Sequence, residues 1–226
     1  AVQFVPPDRL QVLQSMTADD IAWLEEAEIG ERLRILRPAP SATRRATDHG
    51  QFPLAGAQPK TALLWRDGRW GVPAGRTPTT HILKPPTAAF DGHAENEHFC
   101  LALARRLGLP TAQSKLHRFD GELAILVPRF DRIEQQGRLL RVHQEDLCQA
   151  LAVPPTRKYQ GDGGPGPLAV IEALRTQSGA PSRDVDTFID ALAFNWLIAG
   201  TDAHAKNYAL LFGRGGSIRL AHLYDL

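Results

Sequence analysis

Near the C-terminal end of the chain, four polar residues lie between two apolar runs: Asp202, His204, Lys206 and Asn207. Ionisable side chains beside buried elements are costly unless they have a function. The carboxylate of Asp202 could accept a proton, and the amide oxygen of Asn207 could coordinate a hard cation such as Mg²⁺. The stretch therefore indicates a catalytic loop. A helix cap followed by an ordinary loop asparagine is the alternative interpretation.

A second metal ligand is expected at Asp225. Turn residues 213–216 precede the alternating stretch 217–221, so we predict a hairpin that returns the chain toward Asn207. Asp202, Asn207 and Asp225 would then supply one proton acceptor and two oxygen ligands for Mg²⁺. The Asp-x-x-x-x-Asn spacing is that of the protein-kinase catalytic loop, where a further Asp also holds magnesium.

Helical patterns precede this loop. Residues 168–174 and 185–199 are predicted to be helices, and Gly200 is expected to end the second helix by adopting a positive φ. Residues 144–151 are predicted to form another helix, with acidic residues in its first turn. The second half of the chain is therefore expected to be mainly helical.

Strand patterns dominate the first half. Asp67-Gly68 is a strong turn signal within a predicted hairpin over residues 65–72, and residues 81–84 and 123–127 are short apolar strands. Residues 2–5 are a further candidate strand.

Two other segments precede the hairpin. Residues 17–30 are predicted to form a helix that begins with a capping-box-like pattern and ends at Gly30. The polar, turn-rich residues 38–51 are interpreted as a linker or mobile loop, and they are the best candidate for a boundary.

Lys84 ends an apolar strand, where its ammonium could reach nucleotide phosphates or simply protect a strand edge. A helix is predicted from about Ala94 to Leu107, with Gly108 as its C-cap. Glu97, in the first turn, could pair with Lys84 or only favour the helix N-terminus. The predicted buried stripe of this helix is Phe99, Cys100, Leu103 and Leu107.

Small residues precede Lys60 in the segment 55–60, so backbone amides could approach a phosphate there. No glycine stands where a Walker A loop requires it. An ordinary β-turn is the alternative interpretation of this segment.

The composition excludes several protein classes. The 226 residues are 43% hydrophobic and carry a net charge of +1, from 26 basic and 25 acidic residues, which argues against a dedicated nucleic-acid surface. The two cysteines, Cys100 and Cys148, lie in helical patterns and are interpreted as core residues in a reducing cytoplasm. No apolar run approaches the ~18 residues of a transmembrane helix. The start shows no signal-peptide pattern.

Eight sequence blocks together resemble the conserved blocks of HipA-type toxins, which are serine/threonine kinases of bacterial toxin–antitoxin modules. In chain order the blocks are AGAQPKTALL, PTTHILKPP, ENEHFCLALARRLGL, VPRFDR, QEDLCQALAVPPTRKY, GDGGPG, TDAHAKN and LYDL. The resemblance extends from about residue 50 to residue 226, and a match over many blocks is far more specific than any single motif.

The resemblance implies an α+β, two-lobed, protein-kinase-like fold with a β-rich small lobe and a helical large lobe. Residues 1–44 would be a connecting segment, residues 45–131 the small lobe, and residues 132–226 part of the large lobe with the catalytic loop. The chain is expected to be truncated at both ends relative to the family.

The resemblance also implies roles for the matching residues. Asp202 would be the catalytic base, Glu97 would support the ATP lysine Lys84, and Asn207 and Asp225 would hold Mg²⁺. Contacts with ATP are implied for the phosphate-binding loop, the adenine hinge, the catalytic loop and the C-terminal motif: Ala55, Gly56, Ala57, Gln58, Pro59, Lys60, Lys84, Pro128, Arg129, Phe130, His204, Ala205, Lys206, Asn207, Tyr224 and Asp225.

Two departures from the family pattern bear on these expectations. Pro53 stands in the region of the family's usual autophosphorylation serine and cannot accept a phosphate. Pro128 occupies a hinge position that is often acidic, and it has no N–H, so adenine contacts would use neighbouring carbonyls and the Phe130 amide.

The leading hypothesis is an ATP- and Mg²⁺-dependent kinase that phosphorylates a protein Ser or Thr, with an aminoacyl-tRNA synthetase suggested by relatives. The implied partner is a HipB-like helix-turn-helix antitoxin, through which any DNA contact would mostly occur. A cytoplasmic location without membrane contact is expected.

Two other functions remain open. The chain could be a catalytically incompetent kinase-like fold retained for docking the antitoxin. It could also be a metal-dependent hydrolase with Asp202, His204, His222 and Asp225 around a transition metal.

Overall fold

The computed structural model describes residues 6–8, 11, 21–38, 58–74, 77–87 and 92–226. The predicted strand 2–5, nearly all of the predicted linker 38–51, and Ala55 to Ala57 lie outside these residues. The chain divides into two compact units, Ala1–His98 with Ser114–Leu140, and Phe99–Gln113 with Arg141–Leu226. The predicted lobe boundary at residues 131 and 132 remains a proposal.

The first unit contains a six-stranded antiparallel sheet. Its strand order is β1-β3-β2-β4-β6-β5. The strands are β1 (Ile21–Leu24), β2 (Thr61–Arg66), β3 (Arg69–Pro73), β4 (His81–Lys84), β5 (Lys115–Phe119) and β6 (Glu122–Pro128). Asp67 and Gly68 join β2 to β3 with φ values of 52° and 76°, as a tight hairpin requires. The predicted hairpin and both predicted apolar strands are confirmed.

The predicted helix over residues 17–30 is wrong over residues 21–24, and its predicted start at residues 17–20 lies outside the described residues. Residues Ile21–Leu24 form β1, which pairs with β3, and helix α1 spans Glu26–Leu36. The helix starts late because Glu25 and Glu28 form the capping box that satisfies its first amides. Gly30 lies inside the helix, where an added Cβ would stand 2.7 Å from the Phe119 carbonyl oxygen. The glycine therefore allows close packing of the helix on the sheet.

A short hairpin follows the sheet. Its strands, β7 (Arg132–Gln135) and β8 (Arg138–Arg141), form a separate two-stranded sheet. Gln136 and Gly137 make the turn with positive φ values of 51° and 70°.

The second unit combines helices with a three-stranded sheet. The helices are α3 (Leu147–Ala150), α4 (Pro167–Gln177) and α5 (Pro181–Leu197). The sheet has the order β11-β10-β9, with strands β9 (His143–Asp146), β10 (Ala209–Phe212) and β11 (Ile218–Leu220). Leu147, Leu174, Phe188 and Leu210 belong to the buried cluster of this unit. Both predicted helices near the catalytic loop are confirmed.

The prediction of one helix over residues 144–151 is wrong at its start. His143–Asp146 forms β9, and the helix begins only at Leu147. The side chain of Asp146 accepts from the Gln149 amide, and the Gln149 side chain accepts from the Asp146 amide. Asp146 is therefore the N-cap of α3 rather than part of its first turn.

Helix α2 spans His93–Arg106, and Gly108, two residues after its last residue, has a φ of 92°. The predicted helix and its C-cap are confirmed, and Cys100 of the predicted stripe is buried and Leu103 partly buried, but the stripe is wrong at Phe99 and Leu107. Phe99 and Leu107 are 62% and 67% exposed. Besides Cys100, the buried face carries Ala94, Glu97, Leu101 and Ala104, because the spacing of three and four residues runs through Glu97.

The C-terminus of α5 differs from the expectation for Gly200. Ala199, not Gly200, has a positive φ, of 55°. The amide of Gly200 donates to the Asn195 carbonyl at 2.7 Å, and that of Ala199 donates to the Trp196 carbonyl at 3.2 Å. This is a Schellman motif with alanine in the left-handed position that glycine usually occupies.

Among the described helices, none combines the length and the apolar character that crossing a membrane would need.

Candidate functional site

The side-chain amide of Asn207 joins the two ends of the predicted catalytic site. Its Nδ2 donates to the carbonyl oxygen of Asp202 at 3.1 Å and to that of Asp225 at 3.0 Å. The Tyr224 hydroxyl also donates to the Lys206 carbonyl at 2.8 Å. The antiparallel pairing of β10 with β11 returns the chain in this way. The predicted approach of Asp225 to Asn207 is confirmed.

The same two bonds determine what Asn207 can offer a ligand. Both N–H groups of the amide are engaged, so Oδ1 is the group left to act as an acceptor. Mg²⁺ prefers such oxygens and commonly takes one or two protein ligands together with phosphates and water. Asn207 and the exposed Asp225 fit this donor set, with Asn207 largely buried and therefore fixed.

Lys206 and Ala205 belong to a 3-10 turn, Ala205–Asn207, which follows the loop. The Lys206 ammonium forms an ion pair with the carboxylate of Asp146, the N-cap of α3. The cation predicted to border the phosphates is thus already partnered by an acidic side chain. The capped start of α3 consequently anchors the catalytic loop from the side.

His204 lies in a compact group of side chains that the sequence reasoning missed. Its Nε2 is 2.8 Å from Lys158 Nζ, and its ring meets the Tyr159 ring edge-on at 5.0 Å. The Tyr159 hydroxyl donates to the Asp202 carboxylate, and Lys158 Nζ lies 4.8 Å from the centre of the Tyr159 ring. The Lys158 carbonyl also accepts from the Ala205 amide at 3.1 Å.

This environment favours a neutral imidazole. Burial is the largest influence that lowers the pKa of His204, and the positive charge of Lys158 lowers it further. The carboxylates of Asp202 and Asp225 and the histidine's own backbone oppose the shift without reversing it.

Lys158 and Tyr159 could not be assigned to the site by local reading. They stand in the block QEDLCQALAVPPTRKY, more than forty residues before the loop that they contact. In the sequence, only their place in that block links them to the family. Their contacts with Asp202 and His204 arise from the fold.

In the first unit, Lys84 forms a buried ion pair with Glu97. Lys84 Nζ is 2.6 Å from Glu97 Oε1, and the two side chains are 9% and 7% exposed. Gln58 Nε2 lies 3.4 Å from the other carboxylate oxygen of Glu97 and 3.4 Å from His93 Nδ1. The predicted pairing is thereby confirmed, because strand β4 and the buried face of α2 place the two charges together.

The described part of the predicted phosphate loop is Gln58 to Lys60. Pro59 and Lys60 are buried, and Lys60 directly precedes β2. Its last residues thus lead into a central strand of the sheet, while Gln58 contacts the carboxylate that holds Lys84.

The predicted hinge starts where β6 ends, at Pro128. The Arg129 amide donates to the Thr80 carbonyl at 2.8 Å, so it is removed from the set of hinge donors. The Arg129 guanidinium bonds to both oxygens of Asp131, which also pairs with Arg132 at 2.7 Å. Burial alone would raise the pKa of Asp131, but the bonds and charges of the two arginines outweigh it and lower the pKa. Phe130 lies between these charged residues, in the turn.

The alternative transition-metal site gains no support from the described residues. In the described part of the chain, no three His, Cys, Asp or Glu side chains lie close enough together to hold a metal ion. This holds for the four residues of the alternative site, Asp202, His204, His222 and Asp225. The reason is visible at His204, whose Nε2 faces the ammonium of Lys158.

Comparisons with known proteins agree with the blocks found in the sequence. A profile of the HipA-like C-terminal domain family matches residues 52–226. The chain is 40% identical over 229 residues to the protein named "Putative kinase Y4mE" of Sinorhizobium fredii, covering 100% of this chain and 54% of that protein. It is 29% identical over 175 residues to the serine/threonine-protein kinase toxin HipA of Shewanella oneidensis, covering 72% and 40%. The chain spans about half the length of the curated relatives it matches.

Two solved structures share the fold. One is the Shewanella oneidensis HipA in complex with HipB and operator DNA, with a TM-score of 0.75, 25% identity, and coverage of 93% of this chain and 51% of that chain. The other is the Helicobacter pylori proinflammatory kinase CtkA, with a TM-score of 0.54, 15% identity, and coverage of 78% and 55%. At that identity CtkA bears on the fold alone. The predicted α+β, HipA-like kinase fold is confirmed.

Proposed function

The chain belongs to the HipA-like C-terminal domain family, and on that premise we propose that it carries the catalytic part of a serine/threonine protein kinase. The observation that carries the proposal is the double hydrogen bond of the Asn207 amide to Asp202 and Asp225. One side chain thereby fixes the proton acceptor and both predicted metal ligands relative to one another.

Each part of the reaction has a residue suited to it. Asp202 is exposed at the loop, so its carboxylate can accept the proton of a substrate hydroxyl. Asn207 Oδ1 and the Asp225 carboxylate would hold Mg²⁺, and Lys84, oriented by Glu97, would bind phosphate oxygens. When bound, ATP would supply the phosphoryl group, and Mg²⁺ would neutralise the charge on it.

Positioning and charge neutralisation are the main contributions expected of the protein. The Asp146–Lys206 pair and the Tyr159–Asp202 bond hold the loop, so that Asp202 need not reorganise during the reaction. At the hinge, the Phe130 amide and the neighbouring carbonyls would bind the adenine, since Pro128 has no N–H and the Arg129 amide is engaged.

The partners and the substrate extend this proposal. The Shewanella relative was solved with HipB and operator DNA, and a similar antitoxin, which would bring any DNA contact, is proposed for this protein. A protein Ser or Thr, on a target such as an aminoacyl-tRNA synthetase, is the proposed phosphate acceptor, with growth arrest as the outcome.

A docking fold without catalysis is the second candidate. The engaged Arg129 amide and the proline at position 128 favour it, because both reduce the main-chain donors open to adenine. The two candidates differ in nucleotide binding, which a kinase needs and a docking fold does not.

Calorimetry of ATP binding tests the proposal directly. We expect the protein to bind ATP only with Mg²⁺ present, and Asp225→Ala to weaken that binding at least about tenfold because a metal ligand is removed. Asp190→Ala, which removes an exposed carboxylate from α5, is the matched control and should bind normally. A folded protein that binds no ATP would overturn the kinase proposal and leave the docking fold.

A further inference from the structure

His204 carries a buried nitrogen without a hydrogen-bond partner in the described part of the chain. The atom is Nδ1, and the side chain as a whole is 8% exposed. A buried polar atom left unpaired costs about 1–3 kcal/mol, so it usually indicates a ligand or a water. The family resemblance implies that His204 contacts ATP, but it does not say which nitrogen makes the contact or what holds the ring.

The contact with Lys158 determines whether His204 Nδ1 carries a proton. An ammonium group has three donors and no acceptor, so Nε2 of His204, at 2.8 Å from Nζ, must accept. In a neutral imidazole the proton then resides on Nδ1. The unpaired Nδ1 is therefore a donor, and the group that completes it must be an acceptor.

We propose that Lys158 is a positioning residue that fixes His204 as the Nδ1–H tautomer, so that this N–H donates to a phosphate oxygen of the bound nucleotide. The inference rests on the proposed kinase function for its ligand, but not for the tautomer. Tyr159 supports the arrangement, because its ring packs edge-on against the His204 ring. The Lys158 carbonyl, which accepts from the Ala205 amide, holds the same segment against the loop.

A phosphate is the acceptor that fits the surroundings. His204 lies two residues after Asp202, and the backbone N–H of Asn207 donates to the His204 carbonyl oxygen at 2.9 Å. The N–H is thus part of the loop that carries the proposed base and one metal ligand. A donor fixed in advance contributes most where negative charge develops during transfer.

Nitrogen-15 NMR of the imidazole rings tests the tautomer without nucleotide. The chain has eight histidines, and His204→Gln assigns the relevant signals by their disappearance. We expect the protein to show the Nδ1–H form, Lys158→Met to shift His204 mainly to the Nε2–H form, and Lys158→Arg to retain Nδ1–H. Arg157→Met removes a neighbouring exposed charge and should change nothing. An Nε2–H form in the unaltered protein, or a Lys158→Met spectrum without change, overturns the proposal.

Kinetics and nucleotide titration test the ligand. Lys158→Met should lower kcat about 10- to 100-fold, as expected for a lost transition-state donor, with KM for ATP changed less than about threefold. Magnesium and a non-hydrolysable ATP analogue should move the Nδ1 proton signal downfield. A nucleotide that binds without moving this signal overturns the phosphate assignment. Absent binding by calorimetry overturns the kinase proposal instead and leaves the tautomer result standing.

Discussion

Two contacts of carboxylate side chains determine the expected effects of single substitutions on turnover and stability. One is the hydrogen bond from the Tyr159 hydroxyl to Asp202, and the other is the ion pair of Lys84 with Glu97. Asp202 is exposed and is held by one hydroxyl, whereas Glu97 is buried and holds a lysine. Loss of the first contact should mainly affect turnover. Loss of the second should affect stability as well, because a buried charge without its partner is strongly destabilising.

Tyr159→Phe should lower kcat by about three- to tenfold, since the Asp202 carboxylate loses one hydrogen bond of about 1 kcal/mol. The phenyl ring keeps its contact with His204, so the melting temperature should change little. Tyr159→Leu is the comparison that removes the ring and should also destabilise. A Tyr159→Phe protein with unaltered turnover would show that the bond does not position the base.

Lys84→Met should destabilise the protein by about 3–5 kcal/mol and abolish phosphoryl transfer, because the buried Glu97 carboxylate is left without an opposite charge. The double variant Lys84→Met/Glu97→Leu should regain most of the stability, since no buried charge remains, but no activity. Urea denaturation and a phosphotransfer assay measure the two effects. Equal stability of the single and double variants would contradict the prediction.

The elements around the site are held by caps and end motifs. Helix α5 ends in the Schellman motif with Ala199 at positive φ, and it begins near Asp184. The Asp184 carboxylate accepts from Ser178 Oγ at 2.6 Å, from Arg219 Nη2 at 2.9 Å and from the Leu220 amide at 2.8 Å. One buried carboxylate thus joins the start of α5 to strand β11.

Ala199→Gly should stabilise the protein by about 0.5–1 kcal/mol. Glycine removes the strain of the left-handed conformation, which exceeds the entropy that it adds to the unfolded chain. Ala193→Gly, at an exposed position inside α5, should destabilise by about 1 kcal/mol instead. Denaturant unfolding measures both, and a destabilised Ala199→Gly protein would contradict the strain argument.

Asp184 should make stability depend on pH. Burial alone would raise its pKa, but hydrogen bonds from Arg219, Ser178 and the Leu220 amide outweigh burial and lower it below the ordinary 3.8. The unfolded state then binds the proton more readily, so the stabilisation is full above about pH 5 and is lost as pH falls through the lowered pKa. We expect Asp184→Asn to be less stable by about 2–3 kcal/mol at pH 7, with the difference shrinking below about pH 4. A constant difference between pH 7 and pH 3 would contradict this.

Local sequence patterns predicted the helices, strands and turns well, but they did not predict the long-range contacts between them. Asp67-Gly68, Gly108 and the hairpin to Asp225 were readable because turn and cap chemistry is local. The start of α1 was misjudged, since pairing of Ile21–Leu24 with β3 overrides helical spacing. The roles of Lys158 and Tyr159 depend on contacts across more than forty residues of chain, which no local pattern encodes.

The two compact units of the molecule are not consecutive segments of the chain. The second unit takes Phe99–Gln113 together with residues after Arg141. Within that unit Thr111 forms a parallel bridge with Leu223, the Ala112 amide donates to the Leu223 carbonyl at 2.8 Å, and the Leu223 amide donates to the Pro110 carbonyl at 2.8 Å. The segment carrying Asp225 is therefore fastened to residues from much earlier in the chain.

A fragment that begins at residue 132, the predicted lobe boundary, should fail to fold. It lacks Ala104 and Leu109, which belong to the buried cluster of the second unit, and the partners of Leu223. Circular dichroism and a thermal melt would show this, with a chain beginning at residue 92 as the comparison. A cooperative melt of the shorter fragment would contradict the prediction.

The bridge from Thr111 to Leu223 also has a consequence during synthesis on the ribosome. After Ala112 the ribosome adds 111 more residues to reach Leu223, which takes about 6–22 s at about 5–20 residues per second. For that interval residues 110–112 lack their hydrogen-bond partner Leu223, and Asp225 has not been made. Until Asp225 has been added, the nascent chain lacks one of the two proposed Mg²⁺ ligands, so the proposed phosphoryl transfer can begin only after nearly all of these 226 residues have been made.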